Sequence, residues 1–142
     1  MAALTLQEKI LTTEILDLPK VTGSGALVKV IQMVSFDKPF LFGSKTMTHP
    51  ELVKYAVLAF GEKVEYESQH KILVPQKKTD WYEIVGAGAA YLHCKKPLQH
   101  TELAPADTIT LCSSSVCYNV GINKEHVAQL QSLLPNYTFV VR

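Results

Sequence analysis

Apolar residues recur along this chain with two different periods. Leu52, Ala56 and Phe60, flanked by Val53 and Val57, form one stripe at helical spacing. Thr48-His-Pro-Glu51 lies just ahead of it, supplying a cap, an early Pro and a Glu three residues on. Gly61 follows, the usual residue for ending a helix. The pattern predicts a helix over about 49–60. A second helix is predicted over about 124–134, with Asn123 as its cap and Val127, Leu130, Leu133 and Leu134 as its stripe. Pro135-Asn136 ends it.

Other segments read as strands. Ala26 to Phe36 is rich in β-branched and apolar residues, and Asp37-Lys-Pro-Phe-Leu-Phe-Gly43 breaks it. Val64 to Val74 alternates: Val64, Tyr66, Ser68, His70, Ile72 and Val74 face one way, and Glu65, Glu67, Gln69 and Lys71 the other. That is the pattern of one half-buried strand in an antiparallel sheet. Trp81–Cys94, Thr108–Val120 and Tyr137–Val141 complete the set. Residues 5–18 are ambiguous, because Thr5-Leu-Gln-Glu8 has the form of a capping box while Ile10–Leu18 also suits an entering strand. The order of elements predicts one α+β domain over 1–142, with a mainly antiparallel sheet and two helices.

One strand interior is unusual. Gly86-Ala-Gly-Ala-Ala90 has almost no side chains over five residues, and glycine inside a strand often marks close backbone approach. If strands 81–94 and 108–121 pair with matched ends, Ala87 and Gly88 fall opposite Ser114 and Ser115. Gly86, Ala87 and Gly88 then meet Ser113, Ser114 and Ser115 in a patch of small residues. A helix packs closely there, or the patch admits a ligand, with His70 as a nearby polar group. No helix N-terminus follows the glycines, so they are not a dinucleotide fingerprint.

Charge narrows the function classes. The 142 residues carry 14 basic and 13 acidic side chains, a formal charge of +1. Charged residues are 19% of the chain, below the roughly 25% of soluble domains. Thirteen of the basic residues are Lys, and Arg142 alone is Arg. Without internal Arg or a basic cluster there is no footprint for nucleic acid. The longest apolar runs fall well short of the roughly 20 residues that span a bilayer. All four Asp (Asp17, Asp37, Asp80, Asp107) sit beside turn residues, where Asp caps its own backbone.

Candidate chemistry is sparse. Cys94, Cys112 and Cys117 are an odd number, and no signal peptide precedes them, so they read as reduced thiols in a cytoplasmically made, unsecreted protein. Cys112 and Cys117 would point to opposite faces of one strand, which argues against a metal site. No cofactor is implied. Pairing Cys94 or Cys117 with His70 or His100 has no local support, and Ser113–Ser115 lacks the glycines of a nucleophile elbow. No residue is assigned a catalytic role.

The expectation is therefore a structural protein. A folded chain of 15.8 kDa exposes about 7,000 Å², and few charges are available to cover it. Phe36, Pro39, Phe40, Leu41 and Phe42 read as a projecting apolar loop, the kind of surface that marks association. The leading reading is a subunit of a larger oligomeric particle, most concretely a small virion component such as a head cement, connector or tail protein. Its partners would be copies of itself and other structural proteins, with no nucleic acid and no membrane. The alternative is an oligomeric small-molecule-binding protein or enzyme with its site at the Gly86–Ala90/Ser113–Ser115 patch.

Overall fold

The computed structural model describes residues 20–142 except 60, 70 and 100. Residues 5–18, Phe60, His70 and His100 thus lie outside the described residues. The elements run β1 (Lys20–Val21), β2 (Ala26–Ser35), β3 (Lys38–Ser44), α1 (His49–Ala59), β4 (Tyr66–Gln69), β5 (Ile72–Pro75) and β6 (Glu83–His93). They continue with β7 (Ala104–Pro105), β8 (Thr108–Cys112), β9 (Ser114–Ser115), β10 (Val120–Gly121), α2 (Lys124–Leu133) and β11 (Thr138–Val141). This is an α+β fold with two helices and mostly antiparallel strand pairs, as the sequence pattern predicts.

The main sheet has five strands in the order β11-β8-β6-β2-β3. Its pairs are antiparallel except β8–β11, which is parallel, with α2 as the crossover. Cross-strand partners share a face, so Val28/Ala90, Val30/Gly88 and Gln32/Gly86 lie on one side. Ile31/Phe42 and Met33/Phe40 lie on the other. The second face packs under α1, whose Leu52, Val53, Ala56 and Val57 are buried. The helix starts as its sequence dictates: Thr48 Oγ1 accepts from Glu51 N and Glu51 Oε1 accepts from Thr48 N. That bond to the Thr48 N–H holds the Glu51 carboxyl below the usual carboxylate range. The first face packs under α2 and the 113–123 segment.

Three expectations need correction. Residues 38–44 are not a projecting loop but a full edge strand. Pro39 is tolerated there because an edge strand can turn its missing N–H away from its one partner, and Pro39 is buried opposite Val34. Val64–Val74 is not one strand but a hairpin, reversed around Lys71 at φ 67°. Thr108–Val120 is also interrupted: β8 ends at Cys112, and Ser113 at φ 67° turns the chain out of the sheet.

Candidate functional site

The small-residue patch is filled by the chain itself. A methyl group on Gly86 would lie 2.1 Å from Gln32 Oε1 and 2.9 Å from Asn123 N. One on Gly88 would lie 2.3 Å from the Cys112 carbonyl and 3.0 Å from Ile122 Cδ1. The observed register pairs His93 with Thr108 and Ala89 with Cys112, one residue off the matched-ends register. Because β8 then leaves the sheet, Ser113–Ser115 do not pair with Gly86–Gly88. His49 Nε2 instead reaches the Gly88 carbonyl at 2.8 Å. Ser114 and Ser115 pair with Gly121 and Val120 and border an open depression of about 300 Å³.

What occupies the patch is a buried polar network. Gln32 is fully buried; its Oε1 accepts from Asn123 N (2.7 Å), and its Nε2 donates to Asn123 O (3.0 Å) and bonds His126 Nδ1 (3.1 Å). His126 Nε2 bonds the Met33 carbonyl at 3.0 Å. A carbonyl only accepts, so the proton sits on Nε2 and Nδ1 is left to accept from Gln32. Asn123 caps α2 through Oδ1 to His126 N, and its Nδ2 donates to Val85 O, at the sheet irregularity beside Gln32 and Met33. Burial pushes the His126 ring below its ordinary value, outweighing its bonds to the Met33 and Phe40 backbone. The network satisfies every polar atom it buries, which suits a fixing role for the α2 N-terminus.

Of the five residues expected at an interface, the structure separates one from four. Phe40, Leu41 and Phe42 are 3%, 2% and 1% exposed, and with Pro39 they belong to the domain's own interior. Phe36 is 78% exposed. It occupies the two-residue turn between paired Ser35 and Lys38, with φ 49° at Phe36 and 64° at Asp37. Two positive φ values are what a tight hairpin of this kind demands, and Asn-Gly is the usual occupant. A side chain with a Cβ loses about 1–2 kcal/mol there. The β2–β3 hairpin therefore holds an aromatic ring in solvent at a position unfavourable to it.

No protein-family model matches the chain, and no curated protein matches it. Further apolar surface lies on the β4–β5 hairpin, where Tyr66, Ile72 and Leu73 are exposed, Leu73 to 74%. Its base is held by Tyr118 OH donating to the Pro75 carbonyl at 2.9 Å and by Tyr82 OH bonding the Gln76 carbonyl. Burial, with the charges of Glu67 and Glu65 behind it, pushes the Tyr82 phenol up to about 12. A second exposed row crosses the main sheet through paired Leu27, Tyr91, Thr110 and Val140, of which Thr110 alone is buried.

The remaining candidates stay apart. Cys94, Cys112 and Cys117 are free and half-buried. Cys94 Sγ bonds Asp107 Oδ2 at 4.0 Å. Asp107 caps a turn, as its sequence context suggests: Oδ1 accepts from Lys95 N and Thr108 Oγ1. Burial pushes its carboxyl up, but these bonds and the nearby Lys95 and His93 hold it below its ordinary value. Among the described residues, no three His, Cys, Asp or Glu side chains converge as metal ligands, and no helix is long and apolar enough to cross a membrane. The Gln32–Asn123–His126 network had one sequence signal, a lone Gln inside an apolar strand.

Proposed function

We propose that this chain is a structural subunit that assembles with copies of itself through apolar surface points. The single observation that carries this reading is Phe36, an exposed ring at a two-residue hairpin tip with an unfavourable backbone. Exposure and strain together on one residue are characteristic of sites kept for contact. Interface centres favour aromatic side chains and exclude Lys and Glu. The exposed Tyr66, Ile72 and Leu73 offer a second contact point for other components of the same particle. A small virion component of the cement, connector or tail type is the concrete form of this reading, in keeping with the chain's size and low charge. Light scattering over a dilution series tests it. The expected result is a mass above the 15.8 kDa of one chain that falls on dilution. A mass of one chain at every concentration would contradict it.

A further inference from the structure

The β2–β3 hairpin carries two complementary features at opposite ends. At the turn is the exposed Phe36 ring. At the other end, Phe42, Gly43 and Ser44 of β3 meet Met47, Leu52 and Tyr55 around a cavity of about 130 Å³. The cavity opens to solvent and its lining is part polar, Ser44 included. An apolar protein cavity of about 150 Å³ takes up benzene, so a space of this size has room for one phenyl ring and no more. Its walls are suited to an aromatic guest. Phe42 and Tyr55 already meet edge to face at 6.5 Å, and Met47 adds a thioether. Charge agrees as well. It does so by being absent from the contact: Asp37 and Lys38, both exposed beside the ring, cancel, which leaves the Phe36 ring as the tip's contact group.

Ring and cavity are separated along β3 by about 20 Å, taking about 3.3 Å per residue from Phe36 to Phe42. A two-residue turn on a paired strand cannot fold back over that distance, so the ring cannot fill its own cavity. We propose that Phe36 of one copy inserts into the Phe42–Met47–Leu52–Tyr55 cavity of the next, an apolar contact carried by the ring. The contact is head to tail: two different surfaces meet, and each copy keeps one of each free. Such a contact propagates into a ring or a filament according to the rotation between neighbours. This inference rests on the reading of the chain as a self-assembling subunit and names its contact.

The test uses two variants of the full chain and their mixture. Phe36→Asn removes the ring and puts a favoured residue at the positive φ. Met47→Trp plugs the cavity from its half-buried rim, and Tyr55→Trp takes its place if that chain does not show the native circular dichroism. Sedimentation velocity is run from about 1 μM to about 500 μM, spanning weak to moderate affinities. Each variant alone is expected to self-associate about a hundredfold more weakly than the wild type, the scale of losing a central aromatic anchor. The 1:1 mixture is expected to form a two-chain species and nothing larger, because one partner keeps the only usable ring and the other the only open cavity. A mixture that stays monomeric overturns the pairing of ring with cavity. A Phe36→Asn chain that assembles as the wild type does also overturns it, leaving the subunit reading with a contact elsewhere. A wild type that is monomeric throughout overturns the subunit reading itself.

Discussion

Lowering the pH should weaken this fold through one side chain, His126. Its ring is buried with Nε2–H on the Met33 carbonyl and Nδ1 facing the Gln32 amide at 3.1 Å. Protonation puts a hydrogen on Nδ1, directly against the Gln32 N–H. Turning the Gln32 amide to offer its oxygen would break the 2.7 Å bond from Asn123 N. The folded chain therefore resists the proton, and the ring's folded pKa lies below its unfolded value near 6.5. The sign follows: the unfolded chain binds more protons than the native one below that value. The stabilisation is complete above pH 6.5 and drains away as the pH falls toward the folded value. One proton corresponds to at most about 1.4 kcal/mol per pH unit. Other groups titrate in the same range, so the comparison is with His126→Gln, which keeps an amide donor for Met33 but does not titrate. At pH 8 that variant should be less stable by about 1–3 kcal/mol, because it leaves a Gln32 hydrogen without an acceptor. Urea unfolding followed by circular dichroism at half-unit steps from pH 8 to 5 gives both stabilities. The gap should close by up to about 1.4 kcal/mol per unit below pH 6.5. A gap that stays constant or widens would refute the buried, neutral histidine.

Gly86→Ala should cost about 3 kcal/mol or more, since the added carbon meets fixed polar atoms at 2.1 and 2.9 Å; Gly43→Ala, with its nearest neighbours at 3.5 Å, should be tolerated in the same thermal melts. The double change Phe40→Ser, Phe42→Ser should abolish the cooperative unfolding transition, each ring contributing about 3–5 kcal/mol from the core, whereas Phe36→Asn, melted at a dilution where the wild type is a single chain, should leave the melting temperature unchanged or raise it. In alkali, the unfolded chain ionises Tyr82 near its ordinary value of 10 while the native chain holds the proton to about 12. Stability should accordingly fall as the pH rises through that window, and a phenol absorbance titration of the folded protein should find a tyrosine that does not ionise near 10.

The sequence carries β2, β6, both helices and the α+β class because each rests on a sustained hydrophobic period with ordinary caps. It fails at three reversals, and they share one cause. Phe36-Asp37, Lys71 and Ser113 all hold positive φ, yet Phe, Lys and Ser are not the residues that usually adopt it. Without Gly or Asn to mark the turns, β3 reads as a loop, β4 and β5 read as one strand, and β8 reads too long. The same blind spot governs the site. Phe36 was legible as apolar surface, but the burial of Phe40, Leu41 and Phe42 depends on a turn that its own residues disguise. The glycines at 86 and 88 correctly signal close approach; what approaches is Gln32, Asn123 and Ile122 of the same chain.

The central claim, assembly through the Phe36 tip, is tested most directly by sedimentation equilibrium of the wild type beside Phe36→Asn at matched concentrations. The measurement is repeated in about 1 M salt, where ionic contacts between exposed groups are largely screened. The account predicts a wild type heavier than 15.8 kDa in both salts and a variant of one-chain mass with unchanged circular dichroism. Equal masses for the two proteins, whether both assembled or both single chains, would contradict it.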